Sequence, residues 1–193
     1  MSRLLWLAAL TFGAMLGPMQ GAVAQEHAPE AAQQDAAASD ATAEATHQVS
    51  QLISQKFGVA RAKAEQISAA VMSAASKYSL PPALLLAIIS VESRFKEKAR
   101  GANGATGLMQ VVPAAHRQLV RNIDLTEATA NIEAGSAILH GYVQSARGDV
   151  GAALKSYGGS KAYAEKISLR ARTFAPQFGS NADTDADTET TGD

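Results

Sequence analysis

The sequence predicts a mainly α fold, on three observations. Apolar residues recur at intervals of three and four through most of residues 60–174. Clusters of Pro, Gly and Ser cut that stretch into pieces of helix length. No run alternates apolar and polar residues as a half-buried strand would. The glycines at 101, 104 and 107 leave room for a short two-stranded hairpin.

The elements follow in order. From Ala60 to Tyr78, the residues Ile67, Val71, Ala74 and Tyr78 fall on one helical stripe. Ser79-Leu80-Pro81-Pro82 ends that helix, and Pro82 can open the next, because proline is tolerated in a first turn. Along this second helix Leu85, Ile88, Ile89 and Glu92 share a face, so Glu92 extends an apolar stripe. Residues 96–107 read as an irregular loop, and Pro113 can start a short helix. Asn131 to Ala146 repeats apolar residues at Ile132, Leu139 and Val143, and stops at Gly148. Asp149 is placed to cap a helix ending at Gly158-Gly159, and Ser160 to cap a last one bearing Tyr163, Ile167 and Phe174.

Composition bounds the rest. The chain has 193 residues and no cysteine, which excludes disulfides and Cys-based metal or redox sites. Residues 1–24 read as a secretory signal: Arg3, an apolar run from Leu4 to Leu16, and Ala22-Val23-Ala24 before Gln25. The run is short for a membrane span, and without cysteine a lipoprotein anchor is excluded. A bacterial periplasmic or secreted protein is expected, with no stable membrane anchor after cleavage. Residues 25–49, acidic and Ala-rich, are expected to be a disordered linker, and 179–193 a disordered acidic tail. The ordered domain is then 50–178. It holds 16 Lys and Arg against 8 Asp and Glu, while each flank holds five acids and no Lys or Arg. Such a body suits polyanions. Nucleic acid is set aside because of the export signal. The acidic flanks could fold back on the basic body, or simply solubilise it.

Glu92 carries the chemistry. A carboxyl at the edge of an apolar helix resists ionising and can deliver a proton near neutral pH. An acid at a helix C-terminus opposes the helix dipole, which favours a functional explanation for it. His116 and His140 have no partners at metal-ligand spacing, no nucleotide-binding fingerprint or nucleophile elbow occurs, and no cofactor or metal is expected.

Four elements together resemble the soluble lytic murein transglycosylases. They are Glu92-Ser93-Arg94-Phe95 with Gly104 to Gln110; Asn131-Ile132-Glu133-Ala134-Gly135; Ser156-Tyr157-Gly158-Gly159; and the helix bearing Tyr163 and Ile167. They occur in family order across residues 80–170. The resemblance implies a lysozyme-like helical fold. It also implies cleavage of the β-1,4 bond between N-acetylmuramic acid and N-acetylglucosamine in peptidoglycan strands, leaving a 1,6-anhydro ring. Glu92 matches the family's catalytic acid. Tyr157 matches its orienting tyrosine, which is expected to donate a hydrogen bond to Glu92. Gly107, Met109 and Gln110 are expected to line the saccharide groove, with Leu108 in the core and Ser93 beside the glutamate as a brace or substrate contact. Tyr142 and Tyr163 read equally as core packing or as sugar platforms. Two positions depart from the family: Gly158 stands where it has Asn, and Gly101 where many members have Ser. Two rival functions are a hydrolytic lysozyme and a non-catalytic wall-binding scaffold in a secretion or flagellar assembly.

Overall fold

The computed structural model describes residues 28–178; the expected signal segment 1–24, residues 25–27 and the tail 179–193 lie outside the described residues. Seven α-helices follow one another: α1 (Ala28–Phe57), α2 (Arg61–Tyr78), α3 (Pro82–Glu92), α4 (Arg117–Val120), α5 (Ala128–Ser145), α6 (Val150–Gly158) and α7 (Lys161–Arg172). Short 3-10 turns cover Ala102–Gly104 and Ala175–Gln177. Among the described residues no strand forms. The hairpin expected at the glycine loop is reduced to isolated bridges, Arg100 with Thr106 and Thr106 with Val111.

α3 is the centre of the molecule. Its residues Leu84 to Ser90 are all buried, as expected of a helix apolar on every side. It packs against α2 and α7, while α5 bridges α2 and α6. The caps fall where the sequence places them. Asp149 accepts from the Ala152 amide at 3.0 Å and Ser160 from the Tyr163 amide at 3.1 Å. Pro82 occupies the first turn of α3.

α1 corrects one expectation. Residues 28–49 are helical rather than a disordered linker, and continue without a break to Phe57. Low apolarity argued for disorder, but alanine is the strongest helix former and Gln and Glu follow closely. The C-terminal part also inserts Val49 and Ile53 into the core, at 1% and 0% exposure. The helix therefore begins well before residue 50, and its core contacts start at Val49. No helix among the described residues is long and apolar enough to cross a membrane.

The turn after α3 is unusual. Arg94 and Phe95 both take left-handed backbone, with φ of 53° and 62°. That conformation costs about 1–2 kcal/mol for a residue with a side chain. The Phe95 ring is buried and offsets this cost. It packs at 4.5 Å from the Phe57 ring of α1 and 6.5 Å from the Phe174 ring beyond α7.

Candidate active site

Glu92 is the last residue of α3 and is half-buried. Burial makes its carboxyl resist ionisation and raises its pKa above the ordinary value. Two groups on α7 oppose that without cancelling it: the Tyr163 hydroxyl and the Lys166 ammonium. Tyr163 donates to Glu92 Oε1 at 2.6 Å across a sequence separation of 71 residues. Its own pKa is driven well above the usual phenol value by burial, by the Glu92 charge and by this hydrogen bond. Tyr163 is thus a permanent donor. It occupies one carboxyl oxygen and leaves the other to carry a mobile proton.

A second group of residues lies beside this pair. The Tyr157 hydroxyl, on α6, donates to the Met109 carbonyl at 2.9 Å. Burial first, and then the charges of Glu92 and Tyr142, push the Tyr157 phenol far upward. Its ring meets Tyr142 edge-on at 6.4 Å, and Tyr142 meets His116 in the same way at 6.4 Å.

The glycine loop ends on Asn131 of α5, which is fully buried. The Asn131 side chain accepts from the Met109 amide at 2.8 Å and donates to the Thr106 and Leu125 carbonyls at 2.8 and 2.9 Å. One side chain therefore pairs with three backbone groups of the loop, of which the Thr106 carbonyl also accepts from the Val111 amide at 3.0 Å. Gly107 allows this approach: its φ is +82°, and a Cβ there would lie 2.1 Å from Asn131 Nδ2. One helical turn further, Gly135 leaves room for Met109, whose Sδ would lie 2.6 Å from an added Cβ.

The profile of the transglycosylase SLT domain matches residues 69–174, more than half of the chain, and spans both groups. The chain belongs to the transglycosylase SLT family. A transglycosylase of Enterobacteria phage PRD1 is 35% identical over 88 residues, covering 45% of this chain and 32% of the phage protein. An inactive mutant of the lytic transglycosylase Slt from Pseudomonas aeruginosa has a similar fold. Its TM-score is 0.52 at 21% identity, over 56% of this chain and 24% of that one. The chain thus spans about a third of the phage relative's length and about a quarter of the Pseudomonas protein's. The fold expected from the resemblance, a lysozyme-like helical domain, is the fold observed.

Within this SLT domain several expected roles change. The hydroxyl on Glu92 comes from Tyr163, not Tyr157, which is turned toward the loop and spends its proton on Met109. Gly159 and Ser160 alone separate α6 from α7, so the two tyrosines approach Glu92 from neighbouring helices. Met109 is corrected as a groove contact, because its side chain is 0% exposed and faces Gly135 and Ser136. Gly107 is buried against Asn131 instead of lining open surface. Gln110 folds its amide back onto the Gly107 and Ala99 carbonyls at 2.9 and 3.3 Å. Ser93 is buried and donates to the Ile89 carbonyl at 3.1 Å, bracing the end of α3 and not touching the carboxylate. Leu108 is in the core, as expected. The sequence offered no role for Asn131. Its signal would have been a polar residue at the core-facing start of a helix, four residues before a glycine.

Proposed function

We propose that this SLT domain is a lytic transglycosylase of peptidoglycan, exported to the periplasm or beyond, with Glu92 as acid and then base. One observation carries the reading. Glu92 has a raised pKa, a tyrosine donor and a nearby ammonium, yet among the described residues no second carboxylate is one of the groups that act on it. Most glycosidases flank the scissile bond with two carboxylates, and substrate-assisted enzymes are among the exceptions. A lone acid suits a substrate that supplies its own nucleophile.

The geometry around Glu92 is compatible with the following steps. Tyr163 holds Oε1, so the carboxylic proton sits on Oε2. That proton passes to the glycosidic oxygen as its bond to the muramic C1 breaks, and the substrate's N-acetyl oxygen bonds to C1. Glu92, now a carboxylate, is stabilised by the Tyr163 hydrogen bond and by Lys166. It then removes the proton of the sugar's 6-hydroxyl, whose oxygen displaces the acetyl oxygen from C1. The product is a 1,6-anhydro ring, and Glu92 is again protonated. No water is consumed, and the 6-hydroxyl reacts within its own ring system, which favours it over a bimolecular attack.

The test is digestion of purified murein by the wild type and by Glu92→Gln, with mass spectrometry of the released saccharides. Products lighter by one water support the proposal. Reducing ends would replace it with hydrolysis, and wall binding without turnover would replace it with a scaffold role.

A further inference from the structure

Gly158 is the last residue of α6, and its backbone does not require glycine. Its φ is not in the left-handed region, unlike that of Gly159, at +78°. Alanine would ordinarily be favoured over glycine at a helical position by about 1 kcal/mol. The reason for glycine lies on α7. A Cβ at 158 would stand 2.1 Å from Tyr163 Cδ1, 2.2 Å from Cγ and 2.4 Å from Cε1. The Tyr163 ring therefore lies directly on the α6 backbone. At its far end the same ring carries the hydroxyl bonded to Glu92.

We infer that Gly158 is a positioning residue for the catalytic acid: the missing side chain is the seat that lets Tyr163 reach Glu92. This inference rests on the proposed role of Glu92. The connection between α6 and α7 is only Gly159 and Ser160, and Ser160 is held as the α7 cap. The hairpin has no slack with which to absorb a bulkier residue at 158. Any side chain there must turn the ring or push the hairpin open, and both move the hydroxyl by more than a hydrogen bond tolerates. The departure from the family's Asn is thus fitted to this hairpin and is no defect in the site.

Three variants test the inference in the full chain. Gly158→Ala adds the Cβ. Tyr163→Phe removes only the hydroxyl. Gly159→Ala strains a left-handed backbone but meets nothing within 4 Å. Gly158→Ala is expected to lower kcat on murein by about 10²-fold, the scale of a 1 Å misplacement, with KM little changed. Tyr163→Phe should match it, and the double variant should be no worse than either single one. The Tyr163 hydrogen bond lowers the Glu92 pKa. In both variants the alkaline limb of the pH profile, where Glu92 loses its proton, should therefore move to higher pH. Gly159→Ala should lower Tm and leave that limb in place. Two results would overturn the inference: Gly158→Ala with a wild-type profile, or additive losses in the double variant. The Glu92 carboxyl pKa, followed by carbon NMR, separates this inference from the proposed function. If the wild type does not turn over murein, matching shifts in Gly158→Ala and Tyr163→Phe still support the seat, and unmatched shifts still refute it.

Discussion

The two halves of the site are built on opposite plans. In the helical half, Glu92 and Tyr163 stand at the edge of the core and direct polar atoms at each other across 2.6 Å. In the loop half, Gly107, Met109 and Asn131 are buried, and what they hold is backbone. Both halves contain residues that are conspicuous in the sequence. Only the first half turns them toward the proposed chemistry. A distinctive residue near a site can therefore act by shaping the chain that carries the site, and burial tells the two roles apart.

That contrast can be broken at its strongest point first. Glu92→Gln removes the acid and is expected to cost about 10²–10⁴-fold in muropeptide release, the usual contribution of general acid–base catalysis. Its circular dichroism spectrum should be unchanged. Asn131→Ala attacks the other half. It leaves the Met109 amide and the Leu125 carbonyl without their side-chain partner, while the Thr106 carbonyl keeps only the Val111 amide. Each unsatisfied buried group costs about 1–3 kcal/mol, so denaturant melts should show a loss of about 2 kcal/mol or more. Gly135→Ala drives a methyl into Met109 and should cost about 1–3 kcal/mol, as overpacking does. The smallest effect sharpens the comparison. Because burial raises the Glu92 pKa, the folded state holds this proton more tightly than the unfolded state does. Stability is therefore lost as pH rises from the ordinary carboxyl range through the folded value. At neutral pH, Glu92→Gln should therefore be the more stable protein, as is common when a functional residue is replaced. The advantage should shrink in acid. A variant of unchanged stability at both pH values would mean that the carboxyl is better solvated than its position implies.

Much of this was legible in the sequence, and the gaps have physical causes. Pro82, Asp149 and Ser160 announced their helices because caps are local chemistry. Glu92 was legible because it ends a run of apolar residues. α1 was misjudged because its composition lacks large apolar residues, although its alanines favour helix and its C-terminal part has Val49 and Ile53 to anchor it. The sequence points to Tyr157 because the Ser156-Tyr157-Gly158-Gly159 motif matches the family's orienting tyrosine, while Tyr163 lies on the next helix of the same hairpin. Which hydroxyl meets Glu92 is decided by how α7 lies on α3, and no local pattern encodes that. The inward turn of Met109 depends on Gly135, 26 positions away, and on the space it leaves.

The left-handed pair Arg94–Phe95 joins the acid to distant parts of the chain. Phe95 is pinned by Phe57 and Phe174, and Phe57 lies outside the matched segment 69–174. A fragment trimmed to that segment would leave Phe95 with Phe174 alone of its two ring partners, three residues from Glu92. α1 is accordingly a strut for the reaction centre, and the boundary of the working unit falls upstream of the boundary of the resemblance.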